Sequence, residues 1–169
     1  MKTVSVRTIY LEMLAPPDRV VPPPVEGIEV VRSDKPQIAL YRSLYDLVGK
    51  DWHWLDRKRL TDDELSRIIH HDRVEFHVLR VDGEPAGFGE LDLRTEDQVQ
   101  LMYFGLVPKF IGQGFGKFFL NWIVREAWSK APKRVWLHTC EMDHKAALPN
   151  YRKAGFVVFD EKMIDHGVE

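Results

Sequence analysis

The order of elements that the sequence predicts is that of an α/β (α+β) fold, a mixed sandwich of helices around one sheet. Three local patterns carry this prediction. A glycine-rich turn opens a helix at residues 112–116, an Asp82-Gly83 pair separates two strand-like runs, and apolar residues recur at helical spacing over residues 37–48. With 169 residues, of which 44% are hydrophobic, the chain is large enough for one domain that buries about 70% of its unfolded surface.

The N-terminal part of the chain is expected to stand apart from the main body. Residues 1–14 are rich in β-branched and apolar side chains and predict a strand, but the pattern does not identify its partner strand. Residues 15–27 hold five of the ten prolines, a composition that excludes helix and central strand and is typical of an extended linker. The body then spans residues 28–169. We expect the N-terminal strand to be an arm, which makes it a candidate for pairing across a homodimer.

The body is predicted to follow the order β, α, α, β, β, β, α, β, α, β. A strand at residues 28–32 precedes two helices, at 37–48 and from Thr61 to about residue 70, and Thr61 with Glu64 forms a capping box. Strands follow at 74–81, 86–93 and 99–107, and Gly105 predicts a bulge or a close approach of another backbone. A helix at 115–129, a strand at 134–140, a short helix ending at Gly155 and a strand at 156–159 complete the order.

Composition and charge exclude several classes of function. A formal net charge of −2 gives no general attraction to nucleic acid or to anionic membranes. The single cysteine, Cys140, cannot form an internal disulfide. The sequence has no signal peptide and no apolar run long enough to span a bilayer, so we expect a cytoplasmic protein. The histidines do not follow any metal-ligand spacing, and no metal site is predicted.

The glycine-rich turn is suited to binding phosphate. Gly112, Gly114 and Gly116 leave backbone N–H groups free at the start of a helix, where the helix dipole adds about half a positive charge. A nucleoside-triphosphate P-loop is excluded by the glycine spacing and because Phe118, rather than Ser or Thr, follows Lys117. A dinucleotide-binding turn is a poor fit, because the glycines do not follow its G-x-G-x-x-G pattern.

Two blocks of sequence together resemble the GNAT N-acetyltransferase superfamily. The first, IGQGFG at residues 111–116, follows Val107-Pro108 and is similar to the family's Q/R-x-x-G-x-G/A motif, except that Ile111 stands where the family has Gln or Arg. The second, DHKAALPNYRKAGF at residues 143–156, resembles the family's N-x-x-A-x-x-x-x-Y-x-x-x-G-F segment, with Asp143 in place of Asn. The matching positions of this second block are Ala146, Tyr151, Gly155 and Phe156. The resemblance extends over residues 28–158.

The resemblance implies a mostly antiparallel sheet with helices on both faces, splayed between its fourth and fifth core strands. The splay would admit the pantetheine arm of acetyl-CoA, the acyl-donor cosubstrate. A backbone N–H near Leu106 would stabilise the oxyanion, and Tyr151 would protonate the departing thiolate. Asp143 cannot donate as an amide does, so helix capping is the alternative role for it. The coenzyme-binding positions implied by the resemblance are Phe104, Gly105, Leu106, Val107, Gly112, Gln113, Gly114, Phe115, Gly116, Lys117, Thr139, Asp143, Ala146 and Tyr151.

Acetyl transfer to a primary amine needs a base, because an ammonium group has a pKa near 10.4. Glu90 lies on the same face of its strand as Asp92, and Tyr103 lies on the neighbouring strand. We expect Glu90 to be the base, directly or through water, with Tyr103 beside it at the reacting centre. The alternative for Glu90 is a solvated strand carboxylate.

The acceptor is expected to be a small-molecule or peptide amine. Trp52 and Trp54, in the segment DWHWLDR at residues 51–57, would form an aromatic wall for a cationic or apolar amine. Core packing between helices is the alternative role for these two side chains.

The sequence therefore predicts an acetyl-CoA-dependent N-acetyltransferase that works by direct attack in a ternary complex. Two alternatives stay open. One is a non-catalytic acyl-CoA-binding or regulatory module, which the departures at Ile111 and Asp143 favour. The other is a transferase of a longer acyl group.

Overall fold

A computed structural model describes residues 2–168 of the chain, as seven strands, four α-helices and two short 3-10 turns. The strands are β1 (Lys2–Met13), β2 (Ile28–Ser33), β3 (Val74–Val81), β4 (Glu84–Asp92), β5 (Gln98–Leu106), β6 (Arg134–Cys140) and β7 (Val157–Val168). The helices are α1 (Ile38–Gly49), α2 (Asp62–Ile69), α3 (Phe115–Trp128) and α4 (Ala147–Ala154). Within this part of the chain, no helix has both the length and the apolar character needed to cross a membrane.

The strands form one sheet in the order β2-β3-β4-β5-β6-β1-β7. Every neighbouring pair is antiparallel except β5 and β6, which run parallel. Two apolar clusters pack on its opposite faces: one joins the sheet to α1 and α2, and the other joins it to α3. The predicted fold class, a mixed and mostly antiparallel sheet with helices on both faces, is therefore confirmed.

The sheet is splayed between β5 and β6, as expected. These two strands pair only at their beginnings, through Gln98, Val99 and Gln100 of β5. Beyond that point β5 remains paired to β4, with a bulge at Met102. A bulge bends a strand and increases its twist, which turns the rest of β5 away from β6. The result is a gap in the middle of the sheet.

Local sequence signals give the expected turns and helix ends. Thr61 and Glu64 exchange both hydrogen bonds of a capping box at the start of α2. Asp82 and Gly83 have φ values of 49° and 80°, the left-handed pair that a tight hairpin requires. Gly155, with φ 115°, ends α4. Gly105 marks a close approach of the Val48 side chain rather than of a backbone, and the bulge lies instead at Met102.

The N-terminal arm differs from our expectation. Rather than standing apart, β1 lies inside the sheet, where it pairs with β6 over residues 8–13 and with β7 over residues 2–12 of the same chain. Pairing across a homodimer is therefore not needed to give this strand its partners. The last strand is also longer than predicted, because β7 follows β1 from Val157 to Val168.

Candidate active site

A cleft of about 1290 Å³ passes through the gap between β5 and β6. Its first end lies on the face that carries α3, beside the glycine-rich turn. Its second end lies on the face that carries α1, beside the aromatic residues Trp52 and Trp54. The walls between these ends come from residues 101–106 of β5 and from His138 and Cys140 of β6. A long, narrow ligand that enters at one end would therefore reach the opposite face of the sheet.

The first end presents free backbone donors. Gly112 and Gly114 have φ values of 83° and 87°, and Gly114 is the N-cap of α3. The N–H of Phe118 bonds to the carbonyl of Gly114, whereas those of residues 112–117 have no backbone partner among residues 2–168. Lys117 lines the cleft, but Lys109 forms an ion pair with Glu84 at 2.6 Å. This arrangement is suited to an anion such as phosphate.

The structure brings most of the predicted coenzyme residues together. The cleft-lining residues among them are Phe104, Gly105, Leu106, Gly112, Gly114, Gly116, Lys117, Asp143, Ala146 and Tyr151. Four others do not line it. Val107 uses its N–H to bond the carbonyl of Ala86, Gln113 bonds the carbonyl of Lys109, Phe115 is buried against Phe110, and Thr139 is buried with its hydroxyl on Asp143.

Tyr151 lies on α4 with its ring against Phe156 and its side chain on the cleft wall. Its hydroxyl has no hydrogen-bond partner among the described residues 2–168. Burial, with a smaller contribution from the negative charge of Asp143, raises the pKa of this hydroxyl well above its ordinary value. Tyr151 is therefore protonated at neutral pH and free to donate a hydrogen bond into the cleft.

Asp143 shapes the turn between β6 and α4. Its carboxylate accepts a hydrogen bond from the Thr139 hydroxyl. It accepts a second one from the N–H of Cys140, over 2.9 Å. It also faces the indole nitrogen of Trp54 at 3.5 Å, which is long for a hydrogen bond. The helix-capping role is not observed, because α4 begins after Ala146 with no side-chain cap.

Glu90 does not lie on the wall of the cleft. Its side chain is 1% exposed and buried beneath Tyr103, where Arg57 donates to one carboxylate oxygen at 2.7 Å and Tyr41 donates to the other at 2.6 Å. Burial raises the pKa of Glu90, and the charge of Arg57 opposes this effect. Neither expectation for Glu90 fits this position: it is not solvated, and both oxygens that would accept a substrate proton are already occupied.

The second end of the cleft combines aromatic rings with acidic and imidazole groups. Trp52 packs edge-on against His144, with 5.0 Å between the ring centres. Trp54 packs against Tyr45 and Tyr103, with 5.7 and 5.2 Å between the ring centres. The two roles expected for Trp54 therefore coincide, because it packs against the core and lines the cleft. Tyr103 also lines this end, above the buried pair of Glu90 and Arg57.

Several cleft residues were not predicted from the sequence, among them Asp56 and His138. Asp56 is exposed and follows the two tryptophans in the segment that we expected to bind the acceptor. On β6, Val135 and Leu137 are buried in the cluster under α3, so the alternation of the strand places His138 on the other face. His138 is exposed in the cleft. Partial removal of its ring from water by the cleft walls lowers its pKa, while the negative charges of Asp143 and Asp56 oppose this effect. The ring is thus neutral at pH 7.

Comparison with protein families finds a match to the acetyltransferase (GNAT) family over residues 28–156. The matched region runs from the start of β2 to Phe156, just before β7, and it contains the glycine-rich turn, both walls of the cleft and Tyr151. A search of curated protein sequences finds no match.

Several solved structures share the fold at low sequence identity. The GCN5-related N-acetyltransferase from Sphaerobacter thermophilus is 16% identical, with a TM-score of 0.72 over 96% of this chain and 51% of that chain. A GNAT family acetyltransferase from Elizabethkingia anophelis, with acetyl-CoA bound, is 18% identical, with a TM-score of 0.62 over 80% of each chain. An aminoglycoside acetyltransferase from an uncultured soil metagenomic sample, in complex with sisomicin, is 12% identical, with a TM-score of 0.62 over 76% of this chain and 88% of that chain. The chain thus spans about half the length of the first of these proteins.

The buried pair beneath the cleft gives a stability prediction. Arg57→Met leaves the Glu90 charge buried without its cation, so we expect the free energy of unfolding at pH 7 to fall by about 3–5 kcal/mol in urea titrations. The loss should shrink toward pH 5, because Glu90 can then take up a proton in the folded state. The double variant with Glu90→Gln, which keeps an acceptor for Tyr41, should recover most of the loss.

Lys58→Met is the matched control for this prediction. Lys58 follows Arg57 in the sequence and pairs with Asp46 at 3.2 Å, but both side chains are largely exposed. An exposed pair contributes less than about 1 kcal/mol. If Arg57→Met costs no more than this control, the buried ion pair does not have the structural role assigned to it.

Proposed function

Because the chain belongs to the acetyltransferase (GNAT) family, we propose that it transfers an acetyl group from acetyl-CoA to a primary amine by direct attack in a ternary complex. The observation that carries this proposal is the cleft through the sheet. One end offers free N–H groups and a lysine for phosphate, and the other offers aromatic and acidic side chains for a cationic amine. The gap between β5 and β6 joins the two ends.

The residues of the first end fit the coenzyme. The free N–H groups of residues 112–117 would hold its diphosphate, and Lys117 would add a positive charge. The pantetheine arm would lie in the gap, where residues 101–106 of β5 have no strand partner on the side of β6. When bound, the coenzyme supplies the acetyl group as a thioester. A backbone N–H near Leu106 would donate to the acetyl oxygen, where negative charge develops during attack.

The residues of the second end fit a small amine acceptor. An ammonium group would be attracted by the exposed carboxylate of Asp56 and by the faces of Trp52 and Trp54. The solved relative in complex with sisomicin is an acetyltransferase that takes aminoglycosides. The shared fold and the acidic, aromatic lining support an acceptor of the same chemical class, a small molecule that carries amino groups.

His138 replaces Glu90 as the proposed base. It lines the cleft, and its lowered pKa keeps the imidazole neutral and able to accept a proton at pH 7. His138 would take the proton that the amine nitrogen loses as its bond to the acetyl carbon forms. Glu90 would not contact the acceptor. It would hold Arg57 beneath Tyr103 and so fix the position of the Tyr103 ring, which lines the acceptor end of the cleft.

Tyr151 is the proposed hydrogen-bond donor to the leaving sulfur. As the carbon–sulfur bond breaks, its electron pair goes to the sulfur, and the free hydroxyl of Tyr151 would stabilise the developing thiolate by a hydrogen bond. The raised pKa of Tyr151 lies above that of a thiol, near 8.5, so the proton stays on the tyrosine. The departing thiolate then takes its proton from water.

The proposed function is tested by coenzyme binding and by thiol release together. Calorimetry with CoA should show binding, and acetyl-CoA should release free thiol with at least one member of a panel of aminoglycosides, polyamines, amino acids and peptides. Binding without release for any amine would favour the alternative of a non-catalytic acyl-CoA-binding module. Competition among acetyl-, propionyl- and butyryl-CoA would identify a preference for a longer acyl group. Absence of CoA binding would rule out the proposed function.

Tyr151→Phe removes the hydroxyl and keeps the ring on Phe156. Turnover should fall at least tenfold, because the departing sulfur loses its hydrogen-bond donor, whereas the dissociation constant of CoA should change less than twofold. Steady-state kinetics and calorimetry on the same preparation measure the two effects. Turnover equal to that of the unmodified chain would exclude Tyr151 as the donor.

His138→Gln should remove the acidic limb of the pH–rate profile. In the unmodified chain, kcat should rise with pH, and the midpoint of this rise should lie below about 6.5, the ordinary pKa of histidine, since the pKa of His138 is lowered. The variant should lose at least tenfold in kcat at pH 7 and show no such limb. His166→Gln, which removes another cleft imidazole, is the matched control. An acidic limb that persists in His138→Gln would assign the base to a different group, such as Asp56.

A further inference from the structure

The proline-rich segment of residues 15–24, here called the strap, crosses the sheet beside the first end of the cleft. It leaves β1, the sixth strand of the sheet, and leads to β2 at the opposite edge. On its way it passes the start of α3. Ala15, Pro16, Pro17, Asp18, Arg19 and Val21 all line the same cleft as the glycine-rich turn. The strap lies outside residues 28–156, the part of the chain that matches the family.

The strap is fixed to α3 at one point. The side-chain amide of Asn121 donates to the carbonyl of Arg19 at 2.9 Å and accepts from the N–H of Val21 at 2.9 Å. Pro24 lies over Gly114, where an added Cβ atom would come within 3.4 Å of the proline ring. Two prolines before Arg19 and three after it restrict the backbone further. Arg19 is therefore held at a defined position beside the turn.

Three cations line the cleft from the elements that surround this end. Arg19 lies on the strap, Lys117 on the first turn of α3, and Lys153 on α4. Within residues 2–168, none of the three forms an ion pair, in contrast to Lys109 with Glu84 nearby. The cleft acids Asp56 and Asp143 lie toward the other end. Asp18 is the exception, since it lines the cleft next to Arg19.

We propose that the strap is part of the coenzyme site and that Arg19, with Lys117 and Lys153, binds a phosphate of the coenzyme's adenosine end. This inference rests on the proposed function. An arginine guanidinium binds phosphate through paired hydrogen bonds, and here its backbone is already fixed, so little entropy is lost on binding. The phosphate concerned is either the diphosphate or the 3′-phosphate of CoA, which share this chemistry.

Calorimetry with CoA and with 3′-dephospho-CoA on the full chain tests the proposal. Arg19→Gln should raise the dissociation constant of CoA about five- to tenfold, and the effect should be larger at low salt. Asn121→Ala, which releases the strap, should reproduce much of this loss. Asp18→Asn, on the same strap, removes a negative charge that would repel the phosphate and should tighten CoA binding. Arg125→Gln, an exposed cation of α3 outside the cleft, should have no effect.

The two ligands distinguish the phosphates. If Arg19 binds the 3′-phosphate, Arg19→Gln weakens CoA but not dephospho-CoA; if it binds the diphosphate, both ligands weaken equally. Either result supports the proposal. The strap proposal would be overturned if the unmodified chain binds CoA and the Arg19→Gln variant binds both ligands as tightly as the unmodified chain does. The proposed function would then remain intact. Unmodified chain that binds neither ligand would overturn both.

Discussion

The parallel contact between β5 and β6 is the constraint on which the rest of the molecule depends. It stops after three residue pairs, so the facing backbone groups further along both strands lack the partners that a continuous sheet would give them. Each strand keeps its outer partner, β4 on one side and β1 on the other, and the two halves of the sheet are thereby held in place. The opening is thus a built feature of a stable sheet, and its polar edges are suited to an amide-containing ligand.

The opening also explains why groups from distant parts of the chain meet. The glycine-rich turn lies on the face that carries α3, whereas Trp52, Asp56 and Tyr103 lie on the face that carries α1. In a closed sheet these groups would be separated by the strands. Through the gap they share one cleft, with cations toward one end and acids toward the other. Such an arrangement orients a ligand that has phosphates at one end and a reactive group at the other.

Sequence identified the features whose causes are local. The turn at residues 112–116, the capping box of Thr61 and the hairpin at Asp82 each follow from residues that are neighbours in the chain. The position of β1 in the sheet does not follow from neighbouring residues. Its partner strands lie more than a hundred residues away, and pairing either in a dimer or within the same chain would satisfy its hydrogen bonds. Glu90 was misjudged for a similar reason. Its burial depends on Arg57, which lies in an irregular segment that carries no periodic pattern.

Asp143 links the two ends of the cleft in a way that an amide would not. Its carboxylate accepts from both Thr139 and the N–H of Cys140, and this fixes the turn from which α4 and Tyr151 follow. Both bonds go to the same oxygen, Oδ2, and the other oxygen faces the indole N–H of Trp54, where an asparagine would place the N–H groups of its amide against another donor. The same negative charge raises the pKa of Tyr151 and opposes the lowering of the pKa of His138. The residue that departs from the family's Asn therefore acts on both the proposed hydrogen-bond donor and the proposed base.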